Sequence, residues 1–220
     1  MKNGLKRVVS LMAAAVVSIT CMGAVAFAAP AEADIESGVP EGYVYDGDFG
    51  DDYAWGLKNG ERYLFDYFSQ EPVSGVIFVD GVPYAFYDDG RQMFNEWTMA
   101  DANEWYYFGA NGKAYMGGVF EINSDYYNFD EFGVMKTGLC KIKGKYYYFR
   151  KDTGARVKGF VYINDDLYCF SKTSGEMYSG WAKKDGELYY FLNNGKAAKD
   201  TRLSINGVVC EFDENCRYVG

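Results

Sequence analysis

Residues 180–196 read Gly180-Trp181-Ala182-Lys183-Lys184-Asp185-Gly186-Glu187-Leu188-Tyr189-Tyr190-Phe191-Leu192-Asn193-Asn194-Gly195-Lys196. An apolar start is followed by an Asp-Gly pair, an aromatic triplet ending in Phe, and a later Gly. Asp-Gly tolerates the positive φ angles that a tight two-residue hairpin turn demands. The stretch therefore reads as one strand running into the turn at Asp185-Gly186 and a second, aromatic strand returning to Phe191.

The same unit recurs along the chain. Phe65, Phe86, Phe108, Phe129, Phe149, Phe170, Phe191 and Phe212 follow one another at steps of 20 to 22 residues. A Tyr stands two residues before each of them, from Tyr63 to Tyr189, until Cys210 breaks the column in the last unit. A turn residue stands five before each Phe, with Asn59-Gly60, Asp80-Gly81 and Asn206-Gly207 repeating the Asp185-Gly186 signal. Ten or eleven before it there is usually a large apolar residue, such as Trp55, Trp97, Phe160 or Trp181, with Arg202 the exception. Self-similarity at a fixed short period is the signature of a repeat architecture.

A lone two-stranded hairpin is marginal in water. Its apolar face must be buried, and with about 21 residues per unit the available partner is the neighbouring unit, which is the logic of a solenoid. The predicted fold class is all-β: a solenoid of about eight tandem β-hairpin repeats. Side chains alternate across a strand, so the Tyr and Phe columns share a face, assigned here as the inner one. The positions before and between them, such as Trp105 and Tyr107, are then expected to point outward.

The ends of the chain differ from the repeats. Lys2, Lys6 and Arg7 precede an apolar run from Val8 to Phe27, closed by Ala26-Phe27-Ala28. That order is the pattern of a signal peptide, so residues 1–28 are expected to be removed on export. The run also has the length of a short membrane anchor, the rival reading, although small residues dominate it. Residues 29–52 read as an acidic linker and a degenerate cap, and residues 53–220 as the repeat solenoid. No integral membrane segment is expected after cleavage.

Composition narrows the chemistry. The net charge of −9 includes those three N-terminal cations, and no acidic residue precedes Glu32, so the mature chain lies near −12. Such a surface repels phosphate backbones, and no nucleic-acid partner is expected. Histidine is absent, which excludes histidine-based triads and histidine-ligated metals. Carboxylates such as Asp46, Asp48, Asp88, Asp89, Asp165 and Asp166 fall in turns and linkers, where such residues form local turns. No catalytic residue, cofactor or metal is expected. Cys140, Cys169, Cys210 and Cys216 remain after cleavage. Export permits disulfides, and three pairings are open. Cys210 and Cys216 are close enough in sequence to meet across one turn.

The unit at residues 180–196 resembles the choline-binding or cell-wall-binding repeat: Gly-Trp, a polar turn with Gly, an aromatic triplet ending in Phe, then a Gly and often a Met. Met93, Met116, Met135 and Met177 stand where such a Met would fall. Similar repeats occur in glucan-binding and toxin-tail segments, and the resemblance spans about residues 53–220. It implies ligand sites between consecutive hairpins, where aromatic side chains box a quaternary ammonium or stack on sugar. Carried over to this chain, Trp97 takes the Gly-Trp position, with Glu96 in place of the Gly. Trp105 opens the aromatic triplet, and Tyr126 or Tyr127 of the next hairpin closes the cage. Trp181 with Tyr189 and Tyr190 forms a second, weaker cluster. Val76, Val119, Leu139 and Phe160 stand at the Trp position elsewhere and make poor cage walls.

The expected function is that of a secreted, non-catalytic module attached to the cell wall or cell surface. Its expected partner is cell-wall choline or a surface glycan. An adhesin or scaffold binding a protein partner is the alternative. A wall hydrolase is disfavoured because signal, linker and repeats leave no segment for a catalytic domain.

Overall fold

Each Phe-centred unit is a two-stranded antiparallel hairpin in the computed structural model of the protein, which describes residues 38–100 and 103–220. The expected signal segment at 1–28 and residues 29–37 of the linker lie outside the described residues. The first four hairpins pair β2 (Tyr53–Lys58) with β3 (Glu61–Asp66), β4 (Gly75–Val79) with β5 (Val82–Phe86), β6 (Glu96–Ala100) with β7 (Glu104–Phe108), and β8 (Gly118–Ile122) with β9 (Asp125–Phe129). The next four pair β11 (Gly138–Ile142) with β12 (Lys145–Phe149), β13 (Gly159–Ile163) with β14 (Asp166–Phe170), β15 (Gly180–Lys184) with β16 (Glu187–Phe191), and β17 (Thr201–Ile205) with β18 (Val208–Phe212). Two strands are additional. β1 (Val44–Phe49) adds an edge to the first hairpin through β2, and β10 (Met135–Lys136) adds one to the fourth through β9. Among the described residues there is no α-helix.

The turns form for the reason the sequence suggests. Asn59 and Gly60 have φ of 54° and 82°, and Asp185 and Gly186 have 52° and 91°. Two successive positive φ values define the type I′ turn, whose twist matches that of the flanking strands. Asn123-Ser124, Lys143-Gly144 and Asn164-Asp165 adopt the same pair of signs.

The Phe column is the core. Every member from Phe65 to Phe212 is exposed by 2% or less, and burying each such ring contributes roughly 1.5–3 kcal/mol. The outer face, where Trp105 and Tyr107 lie, is not free. Directly opposed residues of an antiparallel pair share a face, so Trp97, Met99, Trp105 and Tyr107 lie together. That face packs on the inner face of the next hairpin. Trp55 meets Phe86 at 5.8 Å between ring centroids, Trp97 meets Phe129 at 5.9 Å, Phe160 meets Phe191 at 5.4 Å and Trp181 meets Phe212 at 5.8 Å. Tyr107 is consequently only 8% exposed, whereas Trp105 keeps 40%. On the outer face of this hairpin Tyr107 is buried between repeats and Trp105 is open.

A short segment after each Phe stitches neighbours together. The backbone N–H of Ala114 donates to the Pro83 carbonyl at 3.0 Å, Arg156 to Tyr126 at 2.8 Å, Met177 to Tyr146 at 2.7 Å, Ala197 to Leu167 at 2.8 Å and Tyr218 to Leu188 at 2.8 Å. These donors stand six or seven residues after a Phe, and each reaches the return strand of the preceding hairpin. The stitch residue also explains the later Gly of the unit. Gly154 has φ of 75°, and a Cβ there would run into the Met135 sulfur. Gly195 repeats this against Met177. At the equivalent place after Phe212 stands Cys216, with φ of 65°, packed in one cluster with the smaller Ala197.

Among the described residues the four cysteines, Cys140, Cys169, Cys210 and Cys216, are free thiols. Cys210 and Cys216 do not meet across the last turn: Cys210 packs with Ala198 and Phe212, and Cys216 with Leu167, Cys169 and Phe191.

Candidate ligand site

The junction between the third and fourth hairpins holds an open aromatic cleft. β6 supplies Trp97 and β7 supplies Trp105 from one outer face; β9 supplies Tyr127 from the facing inner side. Together with Met135, Asp152 and Thr153 they line a cleft of about 340 Å³. Trp97 is fixed on three sides. Its ring meets Tyr127 edge-on at 4.8 Å and Tyr107 at 5.2 Å, and lies nearly parallel to Phe129. Such ring pairs add about 0.5–1.5 kcal/mol beyond buried area, so the wall is held in place before any ligand arrives.

Charge at the cleft is one-sided. Asp152 supplies a carboxylate at the rim, where its Oδ1 accepts the Thr153 N–H at 2.9 Å. Burial, followed by the charge of Asp125, pushes the Tyr127 hydroxyl above its ordinary pKa, so it stays neutral. Behind the wall, burial and Glu104 push Tyr106 up to about 12. Ring faces carry negative potential, and a cation resting on each gains roughly 0.5–2 kcal/mol. Neutral rings with one carboxylate at the edge suit a bulky, weakly hydrated cation.

Of the residues singled out from sequence, Trp97, Trp105 and Tyr127 converge here. Tyr126 does not. It lies on the opposite face of β9, where the Arg156 guanidinium sits 4.1 Å from its ring centroid. Its hydroxyl donates to Glu121 Oε2 at 2.7 Å, and that bond raises its pKa. Trp181 and Tyr190 share a face and meet at 5.2 Å. Tyr189 faces the other way and packs on Phe160 at 5.3 Å. Tyr218, which the sequence reading did not single out, covers Trp181 edge-on at 5.2 Å. Asp152 and Thr153 were missed as well. Met135 was noticed only as part of a column. The legible signal for Met135 and Tyr218 is their shared distance from the preceding Phe; Asp152 and Thr153 belong to the turn of the following unit, and no motif marks them.

Comparisons with known proteins agree with this architecture. Residues 136–180 match the choline-binding repeat family, and residues 95–114 and 179–197 match the cell wall binding repeat family. Glucosyltransferase-S of Streptococcus mutans serotype c is 34% identical over 161 residues, which is 71% of this chain and 11% of that protein. Choline binding protein F from Streptococcus pneumoniae superposes with a TM-score of 0.59 at 25% identity, covering 76% of this chain and 57% of that one. CbpJ from Streptococcus pneumoniae TIGR4 gives 0.60 at 25% identity, covering 75% and 57%. The chain thus spans about a tenth of the glucosyltransferase and somewhat over half of the pneumococcal proteins. The repeats matched at residues 95–114 and 136–197 belong to the choline-binding and cell wall binding repeat family.

Proposed function

We propose that this chain is a non-catalytic binding module that attaches to the bacterial cell wall or surface by holding a quaternary ammonium group, such as choline, in the cleft of Trp97, Trp105 and Tyr127. The observation that carries this reading is the cleft itself: three neutral rings on two hairpins, with Asp152 at the rim. The repeat family supports a wall or glycan partner. Export through residues 1–28 and a location at the cell surface are part of the same reading.

Titration of the chain with choline, followed by tryptophan fluorescence and calorimetry, tests it. Wild type is expected to bind. Trp105→Ala, which removes a 40%-exposed wall without touching the Phe column, should weaken binding about tenfold or more, given roughly 0.5–2 kcal/mol or more per ring contact. No choline binding by wild type, or an unchanged affinity in Trp105→Ala, sinks the proposal.

One observation favours a second reading, a glucan ligand: the similarity to Glucosyltransferase-S covers most of the repeats. Rings would then stack on sugar faces. Retention on immobilised glucan, resistant to competition by choline and lost in Trp105→Ala, would replace the first reading with this one.

A further inference from the structure

Beside the aromatic cleft, and sharing Tyr127 and Thr153 with it, runs a groove of about 500 Å³. Its chemistry is the reverse of the cleft's. Arg150, Arg156 and Lys158 line it, with Asp125 as its one carboxylate. Lys158 approaches the Tyr126 ring at 5.7 Å, alongside the closer Arg156. The whole chain carries 31 acidic residues against 22 basic ones, so three cations around one groove run against its overall balance.

Several cations elsewhere in the described residues find carboxylates. Arg62, Lys136, Lys145, Lys196 and Arg202 each pair with one at 3.5 Å or less. Arg150, Arg156 and Lys158 make no such pair among the described residues. Arg156 is held in place by its backbone bond to Tyr126 and its stacking on that ring, yet its Nε is buried with no hydrogen-bond partner. A buried donor without a partner carries the full cost of its desolvation. Its positive charge is fixed in position against the Tyr126 ring and has no carboxylate ion pair among the described residues.

We propose that this groove is an oxyanion subsite, so that cleft and groove together take a zwitterion: a quaternary ammonium on the rings, and a phosphate ester or carboxylate of the same molecule on Arg150, Arg156 and Lys158. The inference rests on the cleft reading for the ammonium half only. Arg and Lys donate charge-assisted hydrogen bonds to both kinds of oxyanion, about twice as strong as neutral ones. Thr153 lies at both sites and marks where one ligand would pass from one to the other.

The test compares choline with phosphocholine and with a carboxylate-bearing quaternary ammonium, betaine, by calorimetry on the full chain. It is paired with an NMR titration of the Arg150 and Lys158 side-chain signals with inorganic phosphate and with acetate. A zwitterion should bind about fivefold to tenfold more tightly than choline, the scale of one charge-assisted contact. The double variant Arg150→Gln/Lys158→Gln should remove that advantage and leave choline affinity unchanged; Arg156 is kept because it also packs. A gain with phosphocholine alone identifies the phosphate ester, and a gain with betaine alone the carboxylate. Equal affinity for choline and both zwitterions, or a double variant that retains the advantage, overturns the subsite while leaving the cleft intact. If choline does not bind at all, the cleft reading falls separately. The subsite then stands when phosphate or acetate shifts the two signals in wild type, and falls when neither does.

Discussion

Three junctions of this array share a scaffold and differ in what covers the aromatic wall. Between the third and fourth hairpins the stitch residue is Met135, and the cleft of Trp97, Trp105 and Tyr127 stands open. Between the fourth and fifth it is Arg156, whose guanidinium lies 4.1 Å from the Tyr126 ring. Between the seventh and eighth it is Tyr218, whose ring covers Trp181 at 5.2 Å. Tyr126 and Trp105 occupy the same place in the repeat, yet one faces an opening and the other faces the protein's own cation. The hairpins supply the walls; one residue, six or seven positions after a Phe, decides whether a wall is available.

The comparison is broken most severely by removing what all junctions share. Phe129→Ala should cost about 3–5 kcal/mol in a urea unfolding experiment, the range for large-to-small changes in a core. It should also abolish ligand binding, because Trp97 loses the ring beneath it at 5.9 Å. A loss below about 1 kcal/mol would mean that the Phe column is not what holds the cleft.

Changing only the covering residue should act on one junction. Tyr218→Ala should expose Trp181, read as a rise in acrylamide quenching of tryptophan fluorescence, while choline affinity at the Trp97 cleft stays as in wild type. Unchanged quenching would show that Phe212 and Tyr190 already bury Trp181 without help. Arg156→Met should have a smaller effect. It frees the Tyr126 ring and should add one weak ammonium site to the calorimetric stoichiometry. That site should be weaker than the first because Val119 stands where the other junction has Trp97. No added site would place the difference in the Val rather than in the Arg.

The smallest effect concerns pH. Burial, with Glu104, holds the folded pKa of Tyr106 at about 12 against an ordinary 10. Between these values the unfolded chain loses the proton and the folded chain keeps it, so stability falls as pH rises through that window. Urea midpoints at about pH 9 and about pH 11 should differ by less in Tyr106→Phe than in wild type. An equal difference would assign the alkaline loss to other groups.

The fold was legible because each hairpin repeats its own instructions. The Asp-Gly and Asn-Gly turns fix register, and Tyr and Phe two apart fix a common face; eight copies leave little ambiguity. Which outer positions stay open was not legible. Tyr107 and Trp105 lie on the same outer face, and only the approach of the next hairpin buries one and spares the other. Alternation within a strand gives a side, not its neighbour. The same gap explains why Tyr126 and Tyr127 could not be separated as cage walls from sequence: the choice depends on which face of β9 turns back toward the third hairpin. Trp97, Trp105 and either Tyr126 or Tyr127 were named through the resemblance to the choline-binding repeat; Asp152 and Thr153, contributed by the turn of the following unit, were not.

The stitch position has a consequence for how such arrays change. Its backbone N–H holds the neighbouring hairpin whatever its side chain, and Ala114, Arg156, Met177, Ala197 and Tyr218 all serve there. Side-chain identity is therefore uncoupled from assembly at the one place that governs access to the rings. The number of open sites in an array of fixed length can rise or fall by single codon changes, with no hairpin gained or lost.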